Sequence, residues 1–171
     1  MTQHEEGPDQ PVLLVGVERG QPDTVVRQAV RLASMLTAQL VLATVDTTRY
    51  TTNRNPDGTV SAFSIDPDSA EVITEQFDPD VAAHLERLLR PSGITWTLRA
   101  LAGDPAQELG RLANELGALA IIVGTRKRGL RTTAHEFFSG SVGVHLAHRQ
   151  HRPVIIIPLD PASPGEPLPW D

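Results

Sequence analysis

Val12-Leu13-Leu14-Val15-Gly16-Val17 is a nearly continuous apolar run, β-branched at half of its positions. Runs of this kind suit a strand buried on both faces of a sheet. Beyond Pro22, the residues Val25, Val26, Ala29, Val30, Leu32, Ala33 and Leu36 recur at i, i+3, i+4 and i+7. That spacing predicts an amphipathic helix, with Pro22 near its first turn. Leu40 to Val45 is a second buried strand. A buried strand, a helix and another buried strand are the opening unit of a parallel sheet.

Downstream the same alternation continues after an interruption. Thr47 to Ala70 is rich in Thr, Asn, Asp, Pro and Gly and shows no period, so it is expected to be an irregular insertion. Asn55-Pro56-Asp57-Gly58 within it has turn chemistry. A helix is expected from about Ser69 to Leu89, broken or restarted near Asp78 by Pro79. Ile94 to Leu101 predicts a strand, and Pro105 opens a helix through Leu116 that Gly117 ends. Leu119 to Val123 is a fourth buried strand, Phe137 to His148 a helix, and Val154-Ile155-Ile156-Ile157 a fifth strand stopped by Pro158. The expected organisation is a flexible segment 1–11, one domain 12–158 containing the insertion 47–70, and a Pro-rich tail 159–171. The fold class is α/β, a doubly wound parallel sheet with helices on both faces.

Composition mainly excludes. The 171 residues contain no Cys, which removes disulfides, thiol nucleophiles and Cys-ligated metals. No apolar run approaches the roughly 20 residues of a membrane-spanning helix, and the polar, acidic start is unlike a secretory signal. A cytoplasmic protein without membrane or nucleic-acid partners is expected. The net charge of −6 is unevenly placed. Asp46, Asp57, Asp66, Asp68, Glu71, Glu75, Asp78 and Asp80 face only Arg49 and Arg54 in the same stretch, whereas Arg126, Lys127, Arg128 and Arg131 stand together without an acid. One basic loop in an acidic chain suggests a small anionic ligand or a solvated turn.

In doubly wound sheets ligands collect beyond the carboxyl ends of the strands, where the strand order reverses. Val123-Gly124 ends one such strand, and Gly140-Ser141-Val142 opens the following helix. A Gly at a strand end lets a ligand approach the backbone, and a Gly-Ser helix start offers N–H groups, a hydroxyl and the positive end of the helix dipole. Phosphate binding and an ordinary strand–loop–helix connection capped by Ser both account for these residues. His145 and His148, with His151 and His135 nearby, lack the carboxylates of a convincing metal site apart from Glu136, and no metal is expected. No G-x-S-x-G or H-E-x-x-H motif is present, and no enzyme activity is expected.

The segments Ala118 to Thr125, Gly140-Ser141-Val142 and Arg152 to Pro158 resemble the universal stress protein family. Val12 to Glu18 and the Gly103-Asp104-Pro105 turn stand in the family's order, so the resemblance covers about Val12 to Pro158. It implies a five-stranded sheet of order 3-2-1-4-5 and a homodimer formed through the last strand, Val154, Ile155, Ile156 and Ile157. One branch of the family binds ATP, with Mg²⁺, through the pattern G-x2-G-x9-G-[S/T]. Carried onto this chain, the pattern places Gly124 near the ribose, Gly140 and Ser141 at the phosphates, and Val123 and Val142 beside them. Gly16, Val17 and Glu18 fall at the adenine, and Val45 where the second-strand backbone holds the base.

The chain departs from the pattern in four ways. Lys127 stands where a Gly is usual, Gly124 and Gly140 are three positions further apart, Glu18 replaces an Asp, and Leu119 replaces an Asp. Gly129 then supplies the turn in a re-registered loop, or Lys127 and its arginines take phosphate by charge. The expected function is a regulatory, adenine-nucleotide-binding stress module. The alternative is a nucleotide-free dimeric interaction scaffold, with an adenylating enzyme as a remote third.

Overall fold

The computed structural model describes residues 10–66, 68, 71–125 and 141–159. Five parallel strands form the main sheet: β1 (Val12–Gly16), β2 (Gln39–Asp46), β6 (Trp96–Ala102), β7 (Ala120–Gly124) and β8 (Val154–Ile157). Their order is β6-β2-β1-β7-β8, which is the expected 3-2-1-4-5 counted within this sheet. Among the described residues four α-helices cover it: α1 (Thr24–Leu36), α2 (Pro79–Leu89), α3 (Pro105–Glu115) and α4 (Ser141–Arg149).

Alternation along the central strands divides the core in two. Leu13 and Val15 of β1 face Val25, Val26, Ala29 and Ala33 of α1, with Leu85 and Leu89 of α2. Leu14 on the opposite face meets Leu109, Leu112 and Ala113 of α3, with Val142 and Leu146 of α4. Both faces of β1 and β7 are therefore buried, and a continuous apolar run is what such a strand requires. α4 approaches β8 closely because Gly143 has no side chain: a Cβ there would lie 2.9 Å from Ile156 Cδ1.

Local chemistry sets the helix starts. Asp78 accepts from the Asp80 and Val81 N–H groups and Pro79 fills the first turn of α2; Asp104 accepts from Gln107 N–H ahead of Pro105 in α3. Each cap satisfies backbone donors that the helix cannot, and Pro has no N–H to satisfy.

The structure corrects two expectations. The described part of the stretch 47–70 is not irregular: β3 (Arg49–Arg54) and β4 (Val60–Ser64), with β5 (Val72–Thr74) beyond it, form an antiparallel sheet of order β3-β4-β5. The Asn55–Gly58 turn joins the first two, with the Gly58 N–H donating to Asn55 O and the Asn55 N–H to Thr59 O. The helix expected from Ser69 does not precede Pro79: Val72–Thr74 is a strand, and α2 begins at Pro79, the point where a restart was expected. Thr, Ser and Asn hide the period of these strands, since only Val60 and Ala62 of β4 turn fully into the core. The expected flexible segment, the start of the helix at Phe137 and most of the Pro-rich tail lie outside the described residues. No helix among those described is long and apolar enough to cross a membrane.

Candidate functional site at the strand ends

β1 sends its chain to α1 on one face, while α4, the next helix described after β7, lies on the other. The two strands pair from Leu13–Ala120 to Val15–Ile122, and the pairing stops there. Connections that diverge from neighbouring strands leave a crevice beyond the strand ends. Gly16 and Val17 are buried at its floor, and the Val17 N–H donates to Ala43 O at 2.9 Å. Glu18 then emerges into solvent, and Gly20, at φ +75, turns the chain so that the Gln21 N–H reaches Glu18 O. A left-handed residue there favours Gly because a Cβ would be strained.

Glu18 lines a cleft of about 340 Å³, with Val17, Pro22, Val26, Val81 and Leu85 as its apolar walls. Burial of the carboxyl in that concave wall raises its pKa above the ordinary Glu value, although the residue as a whole is exposed. Asp23, Asp80 and His84 complete the rim. His84 Nε2 and Asp23 Oδ1 are 2.7 Å apart, and this hydrogen bond holds the Asp23 carboxyl below its usual range. Arg19 reaches Asp78 at 3.1 Å and Asp80 at 3.6 Å. The cleft lies on the α1–α2 side, and Val45, Val123, Gly124 and Val142 do not line it.

Val45, Val123 and Gly124 lie at the ends of β2 and β7, and Val45, Val123 and Val142 pack on the α3–α4 side of the sheet. Val45 is half-buried beside Asp46 at the end of β2, and Val123 and Val142 are buried together in the second core cluster. Gly124 pairs with Ile157, and its α1 side is filled. A Cβ there would lie 2.9 Å from Val25 Cγ2 and 3.0 Å from both Gln21 Nε2 and Leu159 Cδ1. Leu159 is fixed by its N–H donating to Thr125 Oγ1 at 2.8 Å. Any ligand of Gly124 must therefore come from above or from the α4 side. α4 is described from Ser141 onward; Lys127, Gly129 and Gly140 lie outside the described residues, as does the Ser141 side chain.

A further charged cluster closes the end of β2. Asp46 Oδ1 accepts from the Thr48 N–H and hydroxyl, and its Oδ2 lies 3.4 Å from Arg49 Nε. The same Nε is 3.7 Å from Glu75 Oε1, which is buried and has no hydrogen-bond partner among the described residues. Burial, and then the neighbouring Asp46, push the Glu75 carboxyl up against the opposing pull of Arg49. A raised folded-state pKa means that the native protein holds this proton more tightly than the unfolded chain. The corresponding stability is full below the unfolded Glu value and is lost as pH rises through the folded one. Glu75→Gln is therefore expected to gain stability relative to the parent as pH rises across the window just above the ordinary Glu value. Denaturation midpoints measured across that window check this, and parallel pH profiles for the two proteins would contradict it.

The β1 turn at Gly20, the crowding residues Gln21 and Leu159, and the Asp46–Arg49–Glu75 cluster were not identified from sequence. Gly20 carried a signal, a Gly between a strand and a helix; the others meet only through the fold. A larger groove of about 800 Å³ runs between α3 and the end of α4, past Gln107, Asn114, Arg149 and His151, and none of the strand-end residues lines it. Among the described residues no three His, Asp or Glu side chains gather as a metal site would require.

Residues 12–158 match the family model of the universal stress proteins. Among solved structures, a universal stress protein from Archaeoglobus fulgidus is 18% identical with a TM-score of 0.55, over 86% of this chain and 93% of that one. A universal stress protein solved in complex with cAMP is 23% identical with a TM-score of 0.51, over 86% and 95% of the two chains. Another from Archaeoglobus fulgidus, solved in complex with dAMP, is 17% identical with a TM-score of 0.51, over 87% and 98%. No curated protein matches the chain by sequence.

Proposed function

The chain belongs to the universal stress protein family, and from that premise we propose that it is a regulatory module binding an adenine nucleotide at the carboxyl edge of its parallel sheet. The observation that supports this reading is the apolar cleft lined by Glu18, which opens beside the point where β1 and β7 stop pairing; Gly124 ends β7 but does not line it. The cleft at Glu18 falls within the roughly 300–1,000 Å³ of small-molecule sites. Its walls are apolar, while Asp23, Asp80 and Glu18 outnumber Arg19 on its rim. A base suits such a cleft, and an anionic phosphate is repelled by it. The phosphates of ATP, with Mg²⁺, then fall toward Gly124 and the start of α4, where the resemblance assigns Gly140 and Ser141, with Lys127 and Gly129 in the connecting loop. Relatives of this fold solved with cAMP and dAMP support an adenine ligand.

The direct test is to denature the purified protein, look for released nucleotide, and titrate Mg²⁺-ATP by calorimetry. Released adenine nucleotide or a saturable heat is expected, and neither signal at millimolar ATP would refute the reading. Glu18→Gln should weaken binding about tenfold, the size of one charge-assisted hydrogen bond.

The second reading, a dimeric interaction scaffold, is favoured by the place of β8 at the edge of the sheet among the described residues. Val154 and Ile155 are half-buried and Ile156 is 45% exposed on the outermost strand. Such an apolar edge is a template for pairing with a second copy. Ile156→Lys is expected to turn a dimer into a monomer in sedimentation without unfolding it, since the Lys stem follows the path of the Ile past Gly143. A parent protein already monomeric at micromolar concentration would contradict edge pairing.

A further inference from the structure

The inserted sheet packs beside β6, the outermost strand of the parallel sheet on that side. Val60 joins Leu101 in the second core cluster, and the Thr51 hydroxyl donates to Ala102 O. A cavity of about 370 Å³ remains where the two sheets meet. It is walled by β6 at Leu98 and Arg99, by the β3–β4 turn at Asp57, and by Glu75 and Phe77 on the way into α2. Its size lies at the lower end of small-molecule sites. It shares no lining residue with the Glu18 cleft or with the groove between α3 and α4.

Three charged residues line this cavity, and two of them answer each other. The Arg99 guanidinium lies over the turn, its Nε 3.4 Å from where a Cβ on Gly58 would stand, and it donates to Leu98 O at 3.2 Å. The Thr59 hydroxyl and N–H, and then the charge of Arg99, hold the Asp57 carboxyl below its ordinary range. Glu75 has no such answer. Its side chain is only 8% exposed, and its Oε1 has no hydrogen-bond partner among the described residues. Arg49 stands 3.7 Å away but is shared with Asp46, which it approaches more closely, at 3.4 Å. One arginine between two carboxylates leaves one negative charge over. A carboxylate shut away from water is tolerated only with a partner. The upward push on the Glu75 carboxyl, from burial first and Asp46 second, shows that its neighbours do not supply one.

We propose that this cavity binds a small organic monocation, a primary amine whose ammonium lies against Glu75 and whose apolar stem lies along Phe77 and Leu98. An ammonium brings three N–H donors and the missing positive charge to a carboxyl that has neither. Phe77 and Leu98 are half-buried and offer the stem an apolar wall. A metal ion lacks its ligands here, since no three His, Asp or Glu side chains gather among the described residues. A small anion would meet the charge left over at Glu75. A second cationic end on the ligand would run against Arg99, so the fitting amine carries one charge.

The test is an NMR titration of the full chain, above neutral pH, with isopentylamine beside isopentanol and ammonium chloride. Isopentylamine is expected to give saturable shifts at Phe77, Leu98 and Arg99. The alcohol lacks the charge and the ammonium ion lacks the stem, so each should bind about tenfold more weakly or less. Glu75→Gln keeps the shape of the side chain without its charge and should weaken the amine about tenfold with an unchanged fold. Asp57→Asn, at an exposed position already answered by Arg99, should leave the affinity within about twofold. No saturable shifts, equal binding of the alcohol or of ammonium chloride, or undiminished affinity in Glu75→Gln would each overturn the proposal. An equal loss in Asp57→Asn would overturn it too, in favour of a diffuse attraction to the acidic turn.

Discussion

An alanine at position 124 is expected to lower the free energy of unfolding by about 2 kcal/mol, inside the roughly 1–3 kcal/mol that overpacking a filled site costs. The added methyl meets Val25 Cγ2 at 2.9 Å, with Gln21 Nε2 and Leu159 Cδ1 at 3.0 Å. The ends of Gln21 and Leu159 have room to swing. Val25 has none: it is fully buried in α1, and its branched side chain is stiff at χ1. The backbone of β7 or the start of α1 must therefore move, and both border the crevice. A urea titration with an unchanged slope and a lower midpoint is the expected readout. Gly124→Ala combined with Val25→Ala should show positive coupling, because the second change makes space for the first. An unshifted midpoint for the single variant would mean that Val25 is not the wall it is taken to be.

The second large effect is expected at Glu108. Both of its oxygens take Arg54 Nη2, at 2.9 and 2.8 Å, and Oε2 also takes Arg111 Nη2 at 3.0 Å. Its side chain is 12% exposed, and burial raises its pKa in spite of Arg54. Glu108→Ala leaves two partly buried guanidiniums short of their shared acceptor. Removing one member of a fully buried pair costs about 3–5 kcal/mol. With Arg54 and Arg111 each about a third exposed, roughly 2 kcal/mol is expected here. Arg54 belongs to β3 and Glu108 to α3, so the loss should also show as faster amide exchange in β3 and β4 than in β1. Glu108→Gln keeps an acceptor and should cost less. Equal loss of protection in both sheets would mean that Glu108 supports the whole domain and not the junction with the insertion.

The parallel sheet could be read directly from the chain because its central strands are buried on both sides. Val12 to Val17, Leu40 to Val45 and Leu119 to Val123 announce themselves by unbroken apolarity. The inserted sheet could not. Its β3 is Arg49-Tyr50-Thr51-Thr52-Asn53-Arg54, whose inward positions are held by Arg49 and Thr51 through polar contacts. Polar residues facing inward erase the alternation on which strand recognition depends. The strand-end glycines and Glu18 were legible as the ends of apolar runs. Gln21 and Leu159 beside Gly124, and Glu75 beside Arg49, were not, because their meeting is a product of topology and leaves no spacing in the chain.

The central strand draws its two neighbours from opposite ends of the protein. β2 follows β1 after a single helix, whereas Leu13 meets Ala120 only after on the order of a hundred residues of chain. A chain emerging from the ribosome can join β1 to β2 and β2 to β6, and fold its inserted hairpin, while the other edge of β1 waits for β7. At about 5–20 residues per second that wait lasts roughly 5–20 s. For that time Leu13-Leu14-Val15 presents an apolar strand edge to every neighbouring nascent chain. Synthesis of this protein therefore includes an interval in which a chaperone, or speed, must guard one edge of one strand.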